Sequence, residues 1–372
     1  MRRLLGPLLA LLLSTCLPSG AALSLFVRTT WLSNVTGDME PRDWRAWFDL
    51  VARGRAEGPS SPYYVEELAL QNTACCESHA VGSYKALGCL GPKCSDLGLA
   101  PDTLLTEELD QMSAYFHLFD RVYVGTTTWQ DWDGANATST KLYAQRQADI
   151  GRRFMDRYGH LAEGPGAEAE FAWYLTDEGN LVTMGTDEAT AAKYGAFVGE
   201  SMEALTAVRP LPFLWSPYNG HGTVNASTRA LQKEGLEKML CKLPHPLAMH
   251  FQDCLGQSVS FDFPFSYNYS AALTCEGDTV PTYQLLRDVQ AACPHVLREV
   301  KVNAELFAER LAPGTGSRGE DNGANIVNAD PREVASRLAC YEQHGVPVGA
   351  CWALNHWHSL WSFANSTVYS PY

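Results

Sequence analysis

Residues 170–178 read EFAWYLTDE. Glu170 to Leu175 is a short aromatic and apolar run that ends abruptly on Thr176-Asp177-Glu178. Five such residues after Glu170 are too few for a helix and fit a strand. A helical pattern follows over 186–207, and a second short apolar run, Leu211 to Trp215, follows that. Strand, helix and strand in this order form a parallel crossover unit.

The same unit repeats on both sides. Toward the C-terminus, helical spacing at 227–241, 281–292 and 331–344 alternates with strands at Leu247–Gln252, Leu297–Ala304 and Val346–Leu354. Toward the N-terminus, strands are predicted at 23–32, 63–70 and 121–125, with helices at 41–56, 104–118 and 139–158. Pro41 and Pro331 mark two helix starts. Eight strands and about seven helices predict an α/β fold, a single (β/α)8 TIM barrel. A doubly wound open sheet is the alternative, but no glycine-rich turn follows the first strand. Residues 72–101 interrupt the pattern with Cys75, Cys76, Cys89 and Cys94 among glycines and prolines. They read as a disulfide-rich insertion after strand 2.

The chain has 372 residues, 46% hydrophobic and 19% charged, with a formal net charge of −14. That length suits one large barrel or two ordinary domains. An aromatic share of 11% excludes a mostly disordered chain. The acidic balance argues against nucleic acid and anionic membrane as partners, since both reward clustered Lys and Arg.

Residues 1–22, MRRLLGPLLALLLSTCLPSGAA, carry Arg2 and Arg3, an apolar stretch and small residues at a plausible cleavage point. They predict a secretory signal peptide, with an uncleaved anchor as the alternative. The mature body, 23–372, would hold 26 basic and 42 acidic residues, a net −16. No later run has the ~18 apolar residues of a spanning helix. The expected location is extracellular, with the cell wall or an endomembrane lumen as variants, and a monomer is expected. Ten cysteines remain in that body, an even number that reads as up to five disulfides. They fall into one group at 75–94, one at 241–293, and a Cys340–Cys351 pair. Zinc binding by the first four is the alternative, against irregular spacing. Asn34, Asn136, Asn225, Asn268 and Asn365 begin N-x-S/T sequons and are candidate glycosylation sites.

In a barrel of this kind the chemistry sits at the C-terminal strand ends. Those ends offer Arg28 and Trp31, Trp129, Asp177 and Glu178, Tyr218 and Asn219, Gln252 and Asp253, Asn303 and Glu305, and Trp352 and His356. Carboxylates, amides and aromatic faces together describe a sugar pocket. Amides and carboxylates fork onto paired hydroxyls, and rings stack on pyranose C–H faces. Cleaving a glycosidic bond needs two carboxyl groups. Glu178 and Glu305, each closing an apolar strand, are the candidate pair, and Asp253 is the competitor. The remaining residues named are candidate substrate ligands. His356 and His358 are read as stacking or hydrogen-bonding groups, with no metal and no cofactor expected. Ser216 lacks the G-x-S-x-G elbow of a serine hydrolase. Two further readings stand beside hydrolysis: a non-catalytic carbohydrate-binding barrel, and a metal-dependent hydrolase built on Asp253, His250 and His356.

The runs Trp173-Tyr-Leu-x-x-Glu178, Pro212-x-x-x-Ser216-Pro217-Tyr218, Gln252-Asp253-x-x-Gly256 and Asn303-x-Glu305-x-Phe307 arrive in order. The chain resembles a family of glycoside-hydrolase-like TIM barrels known only as domain of unknown function four-four-three-four. The resemblance covers roughly 24–372 and is most specific in 171–307. It implies a (β/α)8 barrel acting on carbohydrate. More distantly, the strand-4 and strand-7 carboxylates resemble those of the clan A retaining glycosidases. That likeness implies Glu178 as acid/base and Glu305 as nucleophile. The clan usually has Asn before the acid/base; this chain has Asp177.

Overall fold

The computed structural model describes residues 29–32, 41–59, 61, 64–75, 80–81, 84–85, 94–95, 97–127, 137–163, 167, 169–181, 185, 188–219, 228–255, 274–305, 307–309, 326–328 and 331–352. Arg28, Trp129, His356, the five sequon asparagines and the 1–22 segment lie outside them.

Eight parallel strands form the centre: β1 (Thr29–Leu32), β2 (Glu67–Leu70), β3 (Arg121–Gly125), β4 (Glu170–Leu175), β5 (Phe213–Trp215), β6 (Leu247–Gln252), β7 (Leu297–Glu305) and β8 (Val348–Trp352). They pair in the ring order β1-β8-β7-β6-β5-β4-β3-β2, and β2 closes back onto β1 through Thr29↔Glu67 to Leu32↔Leu70. Among the described residues, seven α-helices lie between them: α1 (Pro41–Glu57), α2 (Thr106–Ser113), α3 (Ala137–Tyr158), α4 (Glu188–Val208), α5 (Arg229–Leu240), α6 (Val280–Ala292) and α7 (Pro331–Gln343). Two short antiparallel hairpins, Ala80–Val81 with Tyr84–Lys85 and Phe307–Glu309 with Ile326–Asn328, stand apart from the ring.

Strand alternation divides the core in two. Phe171, Trp173 and Leu175 of β4 pack outward among the helices. Ala172 and Tyr174, one residue out of phase, face the barrel interior with Ala69, Tyr123, Leu214 and Ala350. The α3 helix answers with a buried stripe. It runs through Tyr143, Gln147, Ile150, Phe154 and Tyr158, at spacings of three and four. Apolar area removed from water contributes about 25 cal/mol per Å², so this double shell dominates the stability.

Glycine decides one turn that aims a strand. Gly345 takes φ +65 after α7, its N–H bonds Glu342 O at 3.1 Å, and Val346 N–H bonds Tyr341 O at 2.8 Å. This 6→1 and 5→2 pair satisfies the last helix carbonyls and turns the chain into β8.

Three disulfides are present among the described residues: Cys75–Cys94, Cys241–Cys293 and Cys275–Cys340. The first two fall within the expected groups. The expected Cys340–Cys351 pair is corrected, because Cys340 bonds Cys275. Cys340 lies on α7, beside the turn that opens α6, and Cys351 sits in the strand wall. The Cys75–Cys94 bond also takes two of the four cysteines weighed as zinc ligands. No helix among the described residues is long and apolar enough to cross a membrane.

Candidate active site at the C-terminal strand ends

Glu178 leaves β4 three residues past its last strand residue, with Tyr174 two alternations below it in the barrel. Its neighbour Asp177 points the other way. Both Asp177 carboxylate oxygens lie at 3.1 and 3.2 Å from the Tyr143 hydroxyl of α3. The Asp177 carbonyl accepts from Trp215 Nε1 at 2.7 Å and from Tyr194 at 3.2 Å. The outer shell thus fixes the Asp177 peptide, and alternation turns Glu178 toward the mouth.

Two neutral amides meet the Glu178 carboxyl. Gln71, the residue after β2, donates from Nε2 to Glu178 Oε1 at 3.1 Å. Gln252, the last residue of β6, also hydrogen-bonds the Glu178 side chain and donates from Nε2 to Ser216 O at 3.0 Å. Strands 2, 4 and 6 therefore converge on one carboxyl, as alternate strands do in the layers of such barrels. Burial pushes the Glu178 carboxyl up to about 7, and the Gln252 hydrogen bond only partly opposes it. A carboxylic acid in this state keeps its proton near neutrality and can give it up on demand.

Glu305 closes β7 and is 1% exposed. Its N–H donates to Asp253 Oδ1 at 3.3 Å, and its carbonyl accepts from Arg337 of α7 at 2.8 Å. It registers with Trp352 of β8. Asn303, two residues earlier on the same face, donates from Nδ2 to Ser216 Oγ at 3.0 Å, and that hydroxyl donates to His250 O at 2.7 Å. The loop after β5 continues the sheet, with Tyr218 bridged to Asn180 on one side and Gln252 on the other.

The other strand-end residues divide by direction. Gln252, Asn303, Glu178 and Glu305 belong to the mouth. Trp31 and Trp352 stand on β1 and β8, opposite Ala69 and Glu305 in register. Asp177 and Asn219 turn into the outer shell; Asn219 Oδ1 accepts from Thr282 of α6 at 2.8 Å. Asp253 is fully buried, and Tyr341 of α7 donates to its Oδ2 at 2.6 Å. Three residues expected to touch sugar directly are thereby placed behind the strands. The reason is the period of two: each adjoins a residue that already occupies the mouth. His250 reaches Glu299 Oε1 with Nε2 at 2.9 Å, whereas Asp253 engages Tyr341, so these two metal-ligand candidates do not share a centre. Glu276, Cys340 and His344 come close enough to share an ion, but Cys340 is consumed by its disulfide.

Sequence reading missed Gln71, Tyr143, Arg337 and Tyr341. Gln71 alone left a signal: it continues the inward phase of Glu67 and Ala69 past the end of β2.

No family model matches the chain. No curated protein matches it either. Among solved structures, the chain is similar to a family 1 β-glucosidase from Thermotoga maritima, at 10% identity over 84% of this chain and 77% of that one, with TM-score 0.42. It is similar to a thermostable mutant of a xylanase from Cellvibrio japonicus, at 10% identity over 80% and 74%, with TM-score 0.40. It is similar to a GH18 chitinase from Pseudoalteromonas aurantia, at 12% identity over 92% and 99%, with TM-score 0.39.

Proposed function

We propose that this chain is a secreted glycoside hydrolase that cleaves a poly- or oligosaccharide by a two-carboxylate retaining mechanism on a (β/α)8 barrel. The observation that supports it most is the state of Glu178: a half-buried carboxyl just past a strand end, touched by two neutral amides, and held up to about 7. Glu178 gives its proton to the glycosidic oxygen as the bond to the anomeric carbon breaks. The Glu305 carboxylate forms the new bond to that carbon. Water then attacks, Glu178 takes its proton back, and Glu305 leaves. Gln252, Asn303, Tyr218, Trp31 and Trp352 are the sugar ligands in this reading, and no metal or cofactor takes part. Three disulfides and the absence of a spanning helix among the described residues suit an extracellular body.

The test is a panel of aryl glycosides with the wild type, Glu178→Gln and Glu305→Gln. Hydrolysis by the wild type, lost in both variants, with the first-formed sugar keeping its anomeric configuration by NMR, supports the reading. Full hydrolysis by either variant overturns it. Binding of sugars without turnover by the wild type means a carbohydrate-binding barrel instead.

A further inference from the structure

Asp253 has both carboxylate oxygens occupied, and through them it joins its own turn after β6, the β7 end and α7. Oδ1 accepts from Glu305 N–H at 3.3 Å and from Leu255 N–H at 3.1 Å. Oδ2 accepts from the Tyr341 hydroxyl at 2.6 Å. Tyr341 is one helical turn after Arg337, so both project from one face of α7. Arg337 donates to the other side of the same residue, Glu305 O, at 2.8 Å. All four side chains are buried. Cys254, directly after Asp253, adopts φ +56, the left-handed region that non-glycine residues avoid. Backbone held in that region persists where surrounding contacts over-determine it. Here the Asp253 carboxylate closes the turn on Leu255 while reaching across to β7. The Cys275–Cys340 bond pins α7 immediately beside Tyr341.

We propose that Asp253, backed by Tyr341, is a positioning residue that fixes the main chain of Glu305 and so aims its carboxylate at the anomeric carbon. This inference rests on the reading of Glu305 as nucleophile. Asp253 then touches no sugar. Its effect passes through one peptide N–H, and Arg337 locks the carbonyl of the same residue. A nucleophile displaced by about 1 Å loses on the order of 10²-fold in rate while substrate binding is kept.

The experiment compares Asp253→Ala, Asp253→Asn, Tyr341→Phe and Glu305→Gln on the best aryl glycoside. It measures kcat, KM and the rate of covalent labelling of Glu305 by a 2-deoxy-2-fluoro glycosyl fluoride. Circular dichroism and thermal unfolding restrict the comparison to folded variants. Asp253→Ala is expected to lower kcat and labelling rate together by about 10²-fold, with KM within about threefold. Asp253→Asn keeps an oxygen for the two N–H groups and should restore most of that loss. Tyr341→Phe removes one hydroxyl and should cost about tenfold. Unchanged kcat in folded Asp253→Ala, or a rise in KM alone, overturns the proposal. If Asp253→Ala does not fold, Tyr341→Phe decides the matter by the same criteria. Full activity in Glu305→Gln overturns the functional reading itself. An inactive Glu305→Gln beside fully active Asp253 and Tyr341 variants overturns only the positioning role.

Discussion

Gln71 and Glu178 are 107 residues apart in sequence, yet the Gln71 amide donates to the Glu178 carboxyl at 3.1 Å across the barrel mouth. Gly125, at the end of the intervening strand, makes room for this. A Cβ there would lie 2.1 Å from Gln71 O, so only glycine lets the ends of β2 and β3 approach so closely. The contact places a neutral donor, rather than a cation, on the candidate acid. That choice leaves the proton in place.

Removing that donor should raise the proton affinity further. A hydrogen bond to the carboxylate favours the charged form, and its loss disfavours it. Gln71→Leu is expected to move the basic limb of the kcat–pH profile upward by about half a pH unit to one unit. An unmoved limb means that Gln71 does not act on the titrating group.

The wild-type profile should fall on its basic side as pH rises through about 7, because the acid must be protonated. Glu178→Gln should abolish that limb and lower kcat by about 10²–10⁴-fold on substrates with poor leaving groups. Activated aryl glycosides need less protonation, and the loss on them should be smaller. Rates measured from pH 5 to 9 on both substrate types check this.

Stability should carry the same signature. The Glu178 carboxyl lies near 7 in the folded protein against an ordinary 4.5. The folded state holds the proton more tightly than the unfolded chain. Its contribution is complete below pH 4.5 and is lost as pH rises through about 7. Glu178→Gln removes this dependence and should be more stable than wild type at pH 8, on the order of 2 kcal/mol after allowance for its partial exposure. Urea midpoints at pH 5 and pH 8 for both proteins test the sign.

The Cys241–Cys293 bond ties the ends of α5 and α6 at the face opposite the candidate site, closing a span of 52 residues. Replacing both cysteines by alanine should cost about 4 kcal/mol of stability through the freed unfolded chain. The kinetic constants at 25 °C should not change. A fall in kcat without a fall in melting temperature contradicts this assignment.

Much of this fold was legible because periodicity is a local property. The apolar run of β4 gave its strand directly, as did β3 and β6, whose bounds match their spacing. The candidate carboxylates stood out for a related reason: Glu305 ends one apolar strand and Glu178 follows another by three residues, and strand ends define the mouth. The disulfide partner of Cys340 was not legible. Cys275 lies 65 residues away, and only the packing of α7 beside the opening turn of α6 selects it over Cys351.

Sequence by itself determined which segments are strands and helices, their parallel connection, and the two acids offered at the strand ends. Only the tertiary structure decided which way each strand-end residue faces. Asp177, Asn219 and Asp253 have the chemistry of sugar ligands, but each points behind the wall, to Tyr143, Thr282 and Tyr341. The phase of a strand relative to the barrel axis is set where its last residues meet the helices. Those partners come from distant segments, so no local pattern records them. The same closure brings Gln71 and Gln252 to Glu178 and takes its carboxyl out of water, and it is that burial, only partly opposed by the Gln252 amide, that pushes the carboxyl up to about 7.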